Sequence, residues 1–367
     1  MINTELIRAF ALNQAKNPES FCTIIHPDDE MFLFDLPSMK NDADRTAIHY
    51  MAQGRQIRDN LAQIIDWHFG GFGNIGKLMD FACGYGRLAR YLVQEMPPER
   101  IWVSDIYDKA VAFLRSELKV NGIVSTHQPE DYPEAGPFDC IYVGSLFSHL
   151  PENTFSRWLE RLYRMLTPRG LLIYSVLDEA VMAPGVKMNS KGHLFSTHSE
   201  SQTLDTSEYG VAFVTEAFVK AQAFKVTGRR DNLHRLPKGL AGHQDLYLLS
   251  PSALGDVTTL KYAQNPVGWV ELCRRQGNAL DVAGWAADPN NAGQISKVEI
   301  FLDNNLVGVC LPSVDRPDVA AHLHNPAIVK AGWHCRVDLP SSATNGIVVV
   351  RATGSQSLQR VIGVSRP

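Results

Sequence analysis

A glycine-rich turn beside a carboxylate is the feature of the sequence most able to carry chemistry. The segment LMDFACGYGRLARYL, residues 78–92, predicts a short strand that reaches Asp80, then a tight turn and the start of a helix. Gly84 and Gly86 lack a Cβ, so the main chain at these positions can approach a ligand closely. The N–H groups at a helix N-terminus favour a carboxylate or phosphate. The turn therefore predicts a ligand-binding loop.

A second acid stands at the predicted end of the following strand. Asp105 lies in IWVSDIYD, residues 101–108, and follows Gly86 by 19 residues (105 − 86). An acid in this place can accept hydrogen bonds from both hydroxyls of a ribose. The two elements together indicate a nucleoside ligand. Residues 84–89 also fit the dinucleotide fingerprint, so NAD remains an alternative at this point.

The elements that must position these residues alternate between strand and helix over residues 46–250. Helices are predicted over residues 46–69, 108–120 and 155–166, and a glycine turn followed by a helix over 84–96. Strands are predicted over 77–81, 101–104, 123–126, 138–143 and 171–177. Thr167–Gly170 is predicted to separate the last helix from the last strand. The alternation predicts an α/β fold with a doubly wound, mostly parallel sheet, whose ligands bind beyond the C-terminal strand ends.

Three further features favour one family among those with such a sheet. Asp80, Ala82, Gly84 and Gly86 form an acid followed by three alternating small residues, with alanine in place of the first glycine. Residues 138–150 and 166–176 are similar to a fourth strand with its loop and the approach to a fifth strand. Residues 224–230 and 244–249 are similar to a terminal antiparallel hairpin. As a set, these segments resemble the class I methyltransferases that use S-adenosylmethionine, over residues 46–250.

The resemblance implies S-adenosyl-L-methionine as the cofactor. Residues that match Asp80 and the glycine loop hold its methionine part, and the residue that matches Asp105 holds its ribose. Gln128 is the nearest candidate for the adenine, in place of the usual aspartate, and Ser145 lies where the fourth-strand loop passes the sulfonium. The predicted cofactor-binding residues are Asp80, Ala82, Cys83, Gly84, Gly86, Asp105, Ile106, Gln128 and Ser145.

Methyl transfer is an in-line displacement that needs the acceptor atom held close to the methyl carbon, often with a base to take its proton. The candidate bases are His149, His198, His243 and Asp245. For His149, packing beneath the loop is the more frequent role of such a residue. The insertion 178–214, together with the segment 20–45, is predicted to cover the acceptor. No histidine pair has metal-binding spacing, and no metal is expected.

The rest of the chain is predicted to be organised differently. Residues 1–45 form an N-terminal segment that could act as a lid, and residues 251–265 form a linker. Residues 266–367 show period-2 patterns and turns, which predict an immunoglobulin-like sandwich of about seven strands with tryptophans in its core. Segments such as GWAADP and GWHCRVDL resemble β-domains on enzymes of bacterial surface-polysaccharide assembly, and this resemblance implies a glycan or glycan-precursor acceptor.

Composition excludes several classes of protein. A chain of 367 residues favours two domains, and a net charge of −4 without basic runs argues against nucleic-acid binding. No segment approaches the ~18 apolar residues of a membrane span. We expect a cytoplasmic methyltransferase, O-directed, acting on a saccharide or another small polar acceptor. An NAD-dependent oxidoreductase and a non-catalytic cofactor-binding scaffold in polysaccharide biosynthesis stay open, as do a homo-oligomer and a biosynthetic complex.

Overall fold

The helices and strands are taken from a computed structural model that describes residues 2–199, 201, 203–290, 294–340 and 346–367. Glu200 and Gln202, which belong to the predicted covering insertion, lie outside the described residues. The helices are α1 (Thr4–Gln14), α2 (Glu30–Ser38), α3 (Ala43–Phe69), α4 (Ala89–Leu92), α5 (Asp108–Glu117), α6 (Glu152–Arg164), α7 (Glu216–Thr227) and α8 (Pro317–His322).

The strands fall into an N-terminal set and a C-terminal set. The first set is β1 (Leu78–Phe81), β2 (Ile101–Asp105), β3 (Asn121–Val124), β4 (Phe138–Val143), β5 (Leu166–Asp178), β6 (His193–Ser196), β7 (Val211–Val214), β8 (Leu233–Leu240) and β9 (Gln244–Leu249). The second set is β10 (Val267–Gln276), β11 (Ala279–Ala287), β12 (Lys297–Leu302), β13 (Asn305–Cys310), β14 (Gly332–Asp338), β15 (Val348–Thr353) and β16 (Gln359–Ser365).

The described residues separate into two compact units. One unit comprises Met1–Ile25, Asp35–Asp59 and Tyr262–Pro367, and the other comprises His26–Phe34 and Asn60–Lys261. The domain boundaries read from the sequence remain a prediction. Each unit has a sheet architecture of its own, and the glycine turn lies in the second unit.

The second unit is built on the mostly parallel sheet that the sequence predicts. Its strands run in the order β3-β2-β1-β4-β5, all parallel, and β9 then pairs antiparallel with β5 and with β8. A short ladder joins β5 to β7, and β6 pairs with β7. The strand order reverses between β1 and β4, so the C-terminal ends of these strands border the crevice where such sheets bind ligands.

The two faces of this sheet differ in polarity because side chains alternate along a strand. On one face, Phe81, Val143 and Tyr174 share an apolar cluster with helices α6 and α7. On the opposite face, Asp80 of β1 stands beside Tyr142 of β4 in the register. This face therefore carries Asp80 and Tyr142 near the C-terminal ends of β1 and β4.

The predicted hairpin is present, but its first strand was misplaced. Residues 224–230 do not form a strand, since α7 extends to Thr227. The Thr215 side chain caps this helix by accepting from the Phe218 N–H, and Gly228 ends it in the left-handed conformation with φ 66°. The strand that pairs with β9 is β8, which begins at Leu233.

Two other local predictions were wrong in part. Helix α6 ends at Arg164, before Thr167–Gly170, but the strand predicted over residues 171–177 begins earlier, because β5 starts at Leu166 and includes these four residues. The turn expected at the start of residues 84–96 is present, but the helix expected to follow it is α-helical only at Ala89–Leu92 and gives way to further turns. Two glycines in the left-handed region delay helix formation in this segment.

The C-terminal strands form two antiparallel sheets in the first unit. One has the order β10-β11-β14 and the other the order β13-β12-β15-β16. Val282, Ile300 and Val350 come from both sheets into one apolar cluster, and Trp333 is buried in it as expected. Trp269 and Trp285 are only half-buried. The sequence pattern showed no helix in this region, yet α8 forms between Pro317 and His322.

The N-terminal segment is also more regular than its sequence suggested. Helix α1 begins at Thr4 with the Asn3 side chain accepting from the Glu5 N–H. Helix α2 begins at Glu30 after Asp29, whose buried carboxylate accepts from the N–H groups of Met31 and Phe32. Within the described ranges, no helix combines the length and apolar character that crossing a bilayer requires.

Candidate functional site

Three alternating positions of the glycine turn adopt left-handed backbone conformations. The φ angles are 57° at Ala82, 52° at Gly84 and 79° at Gly86. A Cβ at Gly84 would meet no atom within 4 Å, whereas a Cβ at Gly86 would lie 2.2 Å from Leu114 Cδ2 on α5. Gly84 therefore faces open space, and Gly86 is needed for the turn to pack against α5.

Asp80 is a buried carboxylate with an unsatisfied oxygen. Its side chain is 3% exposed, and Oδ2 has no hydrogen-bond partner within the described part of the chain. Burial, followed by the nearby Asp105 charge, raises the pKa of Asp80 to about 8, although Arg87 opposes the shift. Buried polar atoms in folded proteins usually have partners. The missing partner indicates a place for a donor from a bound molecule.

Asp105 is also buried, but its oxygens are occupied. Oδ2 accepts from the Gly84 N–H at 2.7 Å, and Oδ1 accepts from the Tyr107 N–H at 3.0 Å. Burial raises the pKa of Asp105 to about 6, and the backbone donors partly offset this shift. Each carboxylate oxygen keeps a further lone pair. Asp105 thus connects the glycine turn to the loop after β2 and can still accept from a ligand.

Two other predicted cofactor residues lie beside these carboxylates. Cys83 is buried, and its thiol donates to the Gly84 carbonyl over 3.4 Å. Burial, with the charges of Asp105 and Asp80, raises the pKa of Cys83, so the thiol stays neutral. Ile106 is half-buried next to Asp105.

Residues of the N-terminal segment also contact the glycine turn. The His26 ring stacks on Tyr85 with centroids 4.5 Å apart, and it meets Phe113 edge-on at 5.2 Å. The Tyr107 hydroxyl donates to Glu30 at 2.9 Å. None of these residues was selected from the sequence, because their elements are distant along the chain.

The covering insertion reaches the same place. The Tyr107 hydroxyl lies 2.7 Å from Thr203 Oγ1 and 3.1 Å from Ser201 Oγ. Together with Glu30, these residues form a group of polar side chains that we call the hydroxyl cluster. The cluster joins the insertion to the loop that follows Asp105.

Ser145 belongs to a closed hydrogen-bonded ring at the ends of β4, β5 and β9. The Ser145 N–H donates to Ser175 Oγ at 2.7 Å, and the Ser175 hydroxyl donates to Gln244 Oε1 at 2.7 Å. The Gln244 amide then donates to Ser145 Oγ at 3.0 Å. This sequence of donors leaves the Ser145 hydroxyl proton available for another acceptor. Ser145 has φ 63°, a strained conformation that is common at functional sites.

Of the predicted bases, His149 is held by the loop after β4. Its Nδ1 lies 2.6 Å from the Gly210 carbonyl, and its ring stacks on Tyr209 with centroids 4.5 Å apart. Because a carbonyl oxygen can only accept, Nδ1 carries the proton and the ring lone pair lies on Nε2.

The other predicted site residues are placed differently. Asp245 is buried in an ion pair with Arg235, at 2.6 Å, and also accepts from the Lys238 N–H. His243 and His198 are exposed in a turn and a loop. Gln128 accepts from the Arg157 guanidinium.

Tyr142 and Gln244, two residues that share the sheet face of Asp80, were not predicted as site residues from the sequence. Gln244 was passed over in favour of its neighbours His243 and Asp245, although alternation along β9 puts Gln244 and Asp245 on opposite faces. Tyr142 was read only as part of an apolar strand. A tyrosine in such a strand, two residues before Gly144, was the available signal.

Comparison with known proteins gives a family match for the centre of this site. Residues 78–170 match the family described as "Methyltransferase domain". This segment contains the glycine turn, Asp105 and the loop after β4. No curated protein matches the chain.

Solved structures of related architecture share little sequence with the chain. PigF with SAH has 17% identity, covers 67% of this chain and 69% of its own, and has a TM-score of 0.39. DesVI from Streptomyces venezuelae has 12% identity, coverage of 62% and 99%, and a TM-score of 0.43. An O-methyltransferase family protein from Burkholderia thailandensis has 15% identity, coverage of 60% and 63%, and a TM-score of 0.40.

The family match coincides with the segment that forms the crevice at the ends of β1, β2 and β4. Because residues 78–170 match a methyltransferase domain, the protein is an enzyme, a methyltransferase.

Proposed function

We propose that the protein transfers the methyl group of S-adenosylmethionine to a hydroxyl oxygen of a small polar acceptor, with saccharides as the first class to test. The observation that carries this proposal is the direction of the hydrogen bonds in the ring formed by Ser145, Ser175 and Gln244. Gln244 donates to Ser145 Oγ, so the serine can offer its own proton to an oxygen of the acceptor.

In the proposed contacts, the ends of β1 and β2 bind different parts of the cofactor. Asp80 fits the ammonium of the methionine part, because its buried Oδ2 lacks a donor. Gly84 fits close approach of the ligand, since space is open where a side chain would be. Asp105 fits the ribose hydroxyls through its remaining lone pairs. When bound, the cofactor supplies an electrophilic methyl group on a sulfonium.

The hydroxyl cluster supports a polar rather than an apolar acceptor. Glu30, Tyr107 and Thr203 present oxygen atoms close to the loop after β2. Groups of this kind recognise hydroxylated molecules by hydrogen bonding, and they disfavour apolar ones because their own partners would be lost. The segment 26–34 and the insertion would then act together as a cover.

We assign the general base to His149. Its Nδ1–H is fixed by the Gly210 carbonyl, so Nε2 is the basic nitrogen. The stacked Tyr209 sets the ring plane. Asp245 is less suited to the role because Arg235 holds its carboxylate in an ion pair.

Binding and turnover assays test the proposal. S-adenosylhomocysteine (SAH) should raise the melting temperature of the protein, and NAD should not. A panel of sugars, nucleotide sugars, hydroxy acids and amines, incubated with methyl-labelled cofactor, should yield methyl ethers from hydroxylated members. Exclusive labelling of amines would contradict the O-directed proposal, and a shift with NAD alone would favour a dehydrogenase.

Matched variants test the base. His149→Gln should lower kcat by about 10²–10⁴-fold and leave SAH affinity unchanged, in line with the usual contribution of general-base catalysis. His243→Gln is the control, because His243 lies in an exposed turn and should retain full kcat. Equal turnover by both variants would remove His149 from the mechanism.

We also infer that residues 266–367 form an immunoglobulin-like domain of the type attached to polysaccharide enzymes. Antiparallel sheets of three and four strands around one apolar cluster support this inference. A domain of this kind could present a glycan to the enzyme. Calorimetry of the full chain with oligosaccharides would test the idea, and an absence of binding would count against it.

A further inference from the structure

Several tyrosine hydroxyls of the central sheet are buried with no hydrogen-bond partner among the residues that the structure describes. Tyr142 on β4, Tyr174 on β5 and Tyr247 on β9 share this property. Tyr174 and Tyr247 stack on each other within the apolar cluster. Tyr142 lies on the opposite face, beside Asp80 in the register. Its surroundings are therefore those of the proposed cofactor site.

The Tyr142 side chain extends along β4 towards the C-terminal end of the strand. A Cβ at Gly144, two residues later, would lie only 3.1 Å from the Tyr142 hydroxyl. The hydroxyl thus reaches the level of the loop where Ser145 begins. Burial, followed by the Asp80 charge, raises the pKa of Tyr142, so the hydroxyl keeps its proton and can act as a donor.

Two adjacent buried groups therefore lack partners at the same strand ends. Asp80 Oδ2 needs a donor, and the Tyr142 hydroxyl can donate. Leaving both unsatisfied costs free energy in the protein without ligand. A zwitterion with an ammonium and a carboxylate on one carbon would supply a partner to each.

We propose that Tyr142 and Asp80 together bind the amino-acid end of the cofactor, with Asp80 accepting from its ammonium and Tyr142 donating to its carboxylate. The inference rests on the proposed cofactor contacts. It adds a residue, Tyr142, that acts on binding and not on the methyl group. It also predicts that removing the hydroxyl harms binding of the ligand without harming the fold.

A variant and a truncated ligand test the proposal together. Calorimetry would measure the affinity of wild type and Tyr142→Phe for SAH and for 5′-methylthioadenosine, which has the adenosine and sulfur but no amino-acid end. Tyr142→Phe should weaken SAH binding about tenfold, the loss expected for a hydrogen bond to a charged group. Its affinity for methylthioadenosine and its melting temperature without ligand should match wild type.

Tyr174→Phe is the matched control, because it removes an equally buried hydroxyl from the other face. It should bind both ligands as wild type does. Unchanged SAH binding by Tyr142→Phe, an equal loss for both ligands, or a lower melting temperature without ligand would each overturn the role of Tyr142. Failure of wild type to bind either ligand would instead reject the proposed cofactor site itself.

Discussion

The ends of β1 and β2 each carry a buried aspartate, yet their hydrogen bonding differs. Oδ2 of Asp80 at the end of β1 has no donor from the described residues, whereas Asp105 at the end of β2 accepts from two backbone N–H groups. Burial raises the pKa of both, to about 8 for Asp80 and about 6 for Asp105. Asp105 thus organises the loops around it, whereas the unsatisfied oxygen of Asp80 supports the proposal that this carboxylate serves a ligand.

The glycines between the two strand ends should give the largest effect. Gly86→Ala places a methyl group against Leu114 and should lower the free energy of unfolding by about 2–4 kcal/mol, from overpacking and the left-handed φ. Gly84→Ala has open space and should cost only about 1–2 kcal/mol from its φ. Urea denaturation measures both.

For SAH affinity we expect the opposite order, with a larger effect for Gly84→Ala than for Gly86→Ala. Gly84→Ala fills the space proposed for the cofactor, so its SAH affinity should fall more than its stability does. If Gly84→Ala binds SAH as tightly as wild type, the turn does not line the pocket.

Asp80→Asn tests the unsatisfied end of β1. The variant should lose about 1.5–3 kcal/mol of SAH binding, because the ligand ammonium loses an anionic partner. A carboxyl whose folded-state pKa is raised to about 8 stabilises the fold below its unfolded pKa and loses that stabilisation as pH rises through 8. Asp80→Asn lacks this titration. The melting temperature of the variant should therefore rise relative to that of wild type between pH 5 and pH 9.

The control for that experiment is the pH series itself. A constant difference in melting temperature across the series would show that Asp80 does not titrate in this range. Normal SAH affinity in Asp80→Asn would show that the unsatisfied oxygen does not serve the ligand.

Asp105→Ala tests the carboxylate at the end of β2, which already has two hydrogen-bond donors. SAH affinity should fall by about 1–3 kcal/mol through the lost ribose contacts. Unlike Asp80→Asn, this variant should also be less stable without ligand, because the N–H groups of Gly84 and Tyr107 lose their acceptor. Thermal melts with and without SAH separate the two effects. Unchanged SAH affinity would show that Asp105 does not contact the ribose.

Ala82→Gly should give the smallest effect. Ala82 has φ 57°, where glycine is favoured, so the substitution should stabilise the protein by less than about 1 kcal/mol after the entropy cost of glycine. Denaturation at high precision checks it. A loss of stability would mean that the Ala82 methyl group contributes packing that outweighs its strain.

Local patterns predicted the parts of the fold that depend on neighbouring residues. The alternation of β1 to β5 with helices, the glycine turn and the two strand-end acids were all readable, because each depends on a short segment. The strand assigned to residues 224–230 was wrong because the Thr215 cap and the Gly228 stop favour a helix there. Capping competes with apolar alternation in such short segments.

The site beyond the turn could not be read in the same way. His26 on Tyr85 and Glu30 on Tyr107 are contacts between segments far apart in sequence. Gln244 could have been separated from Asp245 by strand alternation, but only once the exact strand start was known. Tyr142 required knowledge that its hydroxyl has no partner, which depends on the packing of the whole sheet.

The proton balance of SAH binding tests the central claim most directly. Asp80 with a pKa of about 8 is mostly protonated at pH 7, and pairing with an ammonium would ionise it. Calorimetry in buffers of different ionisation enthalpy should find close to one proton released at pH 7, and far less at pH 9. Asp80→Asn should release none. Binding by wild type with no proton exchange at either pH would contradict the account.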